Sequence, residues 1–118
     1  MEFDEVPYRR DLDDENLPAI EKDIILQLKT VFDPEIPVDI YELGLIYNVS
    51  YDEKTGIAEV WFSLTAPACP VADSMPYWIV EAVERVDGVD ECITHIEWDP
   101  PWRMDMMSLE AKIELNMI

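Results

Sequence analysis

The chain has 118 residues, 49% hydrophobic and 10% aromatic, a length and composition that suit one domain with one core. Eight Lys and Arg residues stand against 27 Asp and Glu; the formal net charge of -19 would repel phosphate backbones and anionic lipid surfaces, which argues against nucleic-acid and membrane binding. No apolar run is long enough for a membrane helix, and the opening MEFDEVPYRR has neither the basic region nor the apolar stretch of a signal peptide, so a cytosolic location is expected.

Residues 1–17 hold seven acids and few apolar side chains, so ordering them would bury little; they read as a mobile tail before one domain over 18–118. Asn16 can cap a helix that tolerates Pro18 just inside its start. Ile20, Ile24, Ile25, Leu28 and Val31 then share a face, and the helix should stop before Pro34. DPEIPVDIYELG at 33–44 reads as a loop with two prolines and four carboxylates. Alternation from Leu45 predicts a half-buried strand with Leu45, Tyr47, Val49 and Tyr51 on one side. DEKTG is a hairpin connection, and a second strand over Ile57–Thr65 would point Ala58, Val60, Phe62 and Leu64 at the core.

A helical pattern follows APACP: Trp78, Ile79, Ala82, Val83 and Val86 recur three or four apart, and Gly88 suits the stop. Two starts fit, one at Pro70 with Cys69 as the cap and a kink at Pro76, the other near Ser74 with Pro76 in the first turn. A third strand over roughly Glu91–Trp98 and a capped terminal helix from Ser108 complete the order helix, strand, strand, helix, strand, helix. The expected fold class is α+β: a small two-layer sandwich, a three-stranded sheet with helices on one face. The favoured strand order puts the first strand in the middle, so that the third can pair antiparallel with it.

Only two cysteines are present, Cys69 and Cys92, too few for a disulfide framework. Cys69 sits between Pro67 and Pro70 at the end of a strand. If it opens the helix, unpaired N–H groups and the helix dipole would favour its thiolate, whereas nearby Asp73 and the overall charge would oppose it. A presented thiol and a buried space-filling thiol both remain open from this local pattern. Asp33, Glu35, Asp39 and Glu42 could cap helices, bind a cation, accept a proton near Cys69, or be ordinary solvated loop acids. Cys92 and His95 are three apart on a strand and point to opposite faces, so they read as structural rather than as one metal site. Trp102, after consecutive prolines, is either a partner-docking residue or a lid folded over the core. The three glycines lie in separate elements, so no phosphate-binding loop exists. One exposed cysteine cannot complete a tetrahedral metal site; a cluster would be shared between chains or completed by outside thiols.

Three segments in order, DPEIPVDIYELGLIYNV at 33–49, TAPACPVAD at 65–73 and WDPPWRMDMMS at 98–108, give a pattern that resembles the PaaD-like, SufT-type family of metal-sulfur cluster assembly factors. The resemblance runs from about residue 18 to the end. It implies a compact α+β domain that helps to mature or deliver iron-sulfur clusters, with assembly proteins or client apoproteins as partners. The family's Asp-Pro-Glu falls on Asp33, Pro34 and Glu35, its later loop acid on Asp39, its Leu-Gly on Leu43 and Gly44, and its threonine and motif cysteine on Thr65 and Cys69. Ala66 stands where many members have a second threonine, and Cys92 is outside the motif. The leading expectation is a cluster carrier, not a classical enzyme. Cys69 would be a transient or shared ligand for an iron-sulfur cluster, with Asp33, Glu35, Asp39 and Thr65 shaping the site and a homodimer as one way to complete the ligands. The alternatives are an acidic adaptor that binds assembly machinery or clients without metal, using Trp102, and a thiol enzyme with Cys69 as nucleophile.

Overall fold

A computed structural model of the chain describes residues 17–33, 36–65, 74–99 and 101–115. The expected tail, apart from Leu17, lies outside these residues, as do Glu35 and Cys69. The described part runs α1 (Ala19–Leu28), β1 (Ile46–Asp52), β2 (Ile57–Phe62), α2 (Met75–Val83), β3 (Glu91–Ile96), a 3-10 turn (Met104–Met106) and α3 (Leu109–Glu114). This is the α+β order expected from periodicity.

The first helix begins two residues later than expected. Pro18, not Asn16, is its N-cap, and the Pro18 carbonyl accepts from the Glu21 and Lys22 amides. Its apolar face, Ile24, Ile25 and Leu28, is buried, with Val31 continuing the stripe after the helix has ended. The second helix takes the Ser74 start with Pro76 in its first turn, where a missing amide leaves no hydrogen bond unmade. Cys69 is therefore not the cap of this helix.

Strand order corrects the expectation. β2 is central: β1 pairs with it antiparallel through the hairpin, and β3 pairs with it parallel. The reason is the α2 crossover, which carries the chain back along the sheet so that β3 runs beside β2 in the same direction. A second correction concerns β1. Its register shifts between Ile46 and Asn48, so Ile46 stands opposite Phe62 and Asn48 opposite Trp61, with Tyr47 the extra residue of a bulge. The bulge breaks the two-residue alternation, and Ile46 through Val49 are all buried rather than half-buried. β2 itself stops at Phe62 rather than Thr65, because its ladder partner begins at Ile46; one further bond, from the Ser63 amide to the Leu45 carbonyl, closes the end.

The core lies between this sheet and α1 with α2. Ala58, Val60 and Phe62 from β2 and Val49 from β1 meet Ile24, Leu28, Ile79, Ala82 and Val83 from the helices, all 1% exposed or less. α3 is separate from that layer. Its Ser108 cap accepts from the Ala111 amide at 3.1 Å and donates its own amide to the Glu42 carbonyl at 2.8 Å, which ties the last helix to the 39–44 turn.

Candidate functional site

The acidic loop is a folded element built around its own carboxylates. Asp33 is 3% exposed, and its Oδ1 accepts from the Ile36 amide at 3.1 Å. Its amide donates to the Val38 carbonyl, so the loop closes on itself. Asp39 caps the following turn: its Oδ2 accepts from the Tyr41 and Glu42 amides at 3.1 and 3.0 Å. Burial raises the Asp39 carboxyl above its ordinary value, with the Glu42 charge adding to this and the two amides and Lys29 opposing it. The turn ends at Gly44, whose φ of +84° and close approach to the Met106 carbonyl leave no room for a Cβ. Asp33 and Asp39, the two described acids of the three expected to shape a site, thus first shape the backbone of the loop, and Glu42 meets Lys29 at 3.5 Å.

Thr65 is half-buried, three residues past the end of β2, and is the last described residue before 66–73; Ser74 at the cap of α2 is the first after it. The segment that carries Cys69 therefore spans from the carboxyl end of the central strand to the start of α2. Close to that strand end, two buried polar atoms have no hydrogen-bond partner: Asn48 Oδ1 and Ser63 Oγ. Ser63 continues the face of Trp61, and Trp61 is the register partner of Asn48, so both side chains belong to the sheet face away from the helices. Sequence reasoning passed over them. The available signal was a polar residue at the buried end of each apolar strand.

The second cysteine is withdrawn from chemistry. Cys92, 6% exposed, sits on β3 opposite Ala58 and faces the core. Burial, aided by the charge of Glu84, pushes its thiol up to about 12, so at neutral pH it is protonated. His95 faces the other way, as alternation predicts. Its ring stacks on Trp61 at 4.9 Å between centroids, and its Nε2 lies 2.8 Å from Glu59 Oε1. Trp102 is half-buried against the core and donates its indole N–H to the Leu43 carbonyl at 2.7 Å. This is the fold-back arrangement; among the described tryptophans Trp98 is the exposed one, at 44%. Among the described residues no cluster of three His, Cys, Asp or Glu could hold a metal ion, and no helix is long and apolar enough to cross a membrane.

Fold and site together define a small α+β domain that organises an acidic turn beside the carboxyl end of its central strand. The chain belongs to the iron-sulfur cluster assembly protein family, whose model matches residues 21–93. It is 46% identical over 98 residues to an Fe-S protein maturation auxiliary factor of Porphyromonas gingivalis, covering 83% of this chain and 92% of that one. It is 38% identical to the auxiliary factor YitW of Bacillus subtilis, over 84% of this chain and 96% of the relative. A crystal structure of a domain of unknown function, DUF59, from Bacillus anthracis superposes with a TM-score of 0.78 at 34% identity, covering 85% of this chain and 94% of that one.

Proposed function

We propose that the protein is a maturation factor that carries an iron-sulfur cluster as cargo through Cys69 and passes it to recipient apoproteins in the cytosol. Family membership over residues 21–93 supports a role in iron-sulfur protein maturation. The observation that supports the finer reading is the state of Cys92. A thiol 6% exposed on the core face of β3, its pKa raised by that burial, is out of reach of a cluster, so in this reading the ligand from this chain is Cys69.

One thiolate is too few for a cluster, so the remaining ligands come from a second copy or from small thiols. In this reading Asp33 and Asp39 serve the site by fixing the turn, and Thr65 anchors the strand side of the Cys69 segment. The Asn48 and Ser63 oxygens without hydrogen-bond partners lie buried at the same strand end. Anaerobic reconstitution with iron and sulfide tests this: wild type and Cys92→Ala should develop visible charge-transfer absorbance, and Cys69→Ser should not. Equal absorbance in Cys69→Ser would overturn the carrier role.

A further inference from the structure

Between the 37–42 segment and α3 lies an open cleft of about 670 Å³. Its walls include Phe32, Pro37 and Val38 on one side and Ala111 and Ile113 on the other. Two of these are large apolar side chains in the open: Phe32 is 56% exposed and Ile113 57%. Leu109, 63% exposed, precedes Ile113 by four positions on α3, so the helix presents an apolar pair on one face. Among the described residues, four carboxylates, Asp39, Glu42, Glu110 and Glu114, line the same cleft against a single cation, Lys29. That cation is already engaged by Glu42 and by the Tyr41 ring, 5.1 Å from its centroid.

An apolar floor within an acidic border fits a complementary chemistry. We infer that this cleft is the docking site for a basic amphipathic segment of a partner protein, its apolar side chains on Phe32 and Ile113 and its Lys or Arg side chains against Glu110, Glu114 and Asp39. Charge selects this occupant. A second copy of a chain with net charge -19, an anionic lipid surface or a nucleic acid would meet like charge at every edge of the cleft. The cleft shares Asp39 and Glu42 with the acidic turn described above. The inference does not depend on cluster binding, and its test uses metal-free protein.

The probe is a fluorescein-labelled amphipathic helix of leucine and lysine about four turns long, titrated with full-length protein at physiological salt, beside a version with glutamate for lysine. The basic peptide should bind and the acidic one should not. Phe32→Ser with Ile113→Ser should weaken binding roughly tenfold, and so should Glu110→Lys with Glu114→Lys. Leu26→Ser with Tyr77→Ser, more exposed than the first pair and outside the cleft, should leave it unchanged. If both serine pairs weaken the peptide alike, or neither does, attraction is general to the acidic surface and the inference fails. It also fails if Arg9→Glu with Arg10→Glu tightens the peptide tenfold, since the resident segment is then the chain's own. A concentration-dependent dimer that Ile113→Ser abolishes would likewise overturn it, in favour of a second copy. Circular dichroism of each variant confirms that its fold is intact.

Discussion

At the scale of single residues, the environment of Cys92 decides its chemistry. Cys92 is buried on the core face of β3, and its raised pKa makes alkaline stability a readout of that burial. A folded value of about 12 against an ordinary 9.0 means that the unfolded chain loses this proton first. The contribution is fully present below pH 9.0 and is lost as pH rises toward 12, with a slope of at most about 1.4 kcal/mol per pH unit. Chemical denaturation from pH 8 to 10.5 should therefore show wild type losing stability faster than Cys92→Val; parallel curves would mean that the thiol is not desolvated. Cys69 was legible as a candidate because two prolines and a strand end frame it. The roles of Asp33 and Asp39 were not, because carboxylates in a loop look alike in sequence whether they accept backbone amides or face water. Only the folded turn shows Asp33 Oδ1 taken by the Ile36 amide and Asp39 Oδ2 by those of Tyr41 and Glu42. Asn48 and Ser63 were missed for the opposite reason: a strand pattern scores apolar positions and passes over the polar ones between them.

At the scale of elements, local pattern reached as far as local physics does. The stripe of Ile24, Ile25 and Leu28, the hairpin at Gly56 and the cap at Ser108 each depend on neighbours in sequence, and each is where the pattern puts it. Strand order depends on where the α2 crossover returns the chain, and the β1 bulge on how Tyr47 packs; neither is a local property. Ser108 offers a clean test at this scale. Its hydroxyl caps a helix of only six residues, so Ser108→Ala should cost about 1 kcal/mol in urea unfolding. A loss confined to local protection of the 109–114 amides, with the global midpoint unchanged, would show that α3 frays independently of the sheet domain. The WDPPWRMDMMS motif also becomes intelligible as an element. Trp102 bonds to Leu43, Met106 lies against Gly44 and Ser108 bonds to Glu42, so the motif clasps the acidic turn from the far end of the chain.

At the scale of the whole molecule, charge and site must be weighed together. With a formal net charge of -19 on 118 residues, self-repulsion opposes the compact state and salt relieves it. The thermal midpoint should rise by several degrees between low and physiological ionic strength; a flat or falling response would mean that repulsion is already offset within the fold. The cleft beside α3 gathers four of these carboxylates around apolar side chains, the basis of the docking proposal above. The central claim remains that cargo is bound through Cys69 with help from another molecule. Native mass measurement of the anaerobically reconstituted protein addresses this most directly, because it reports ligand dependence and stoichiometry at once. The account predicts cluster mass on a dimer or on a thiol-bearing monomer for wild type and Cys92→Ala, and none for Cys69→Ser. A cluster retained by Cys69→Ser, or lost with Cys92→Ala in a folded protein, would contradict it.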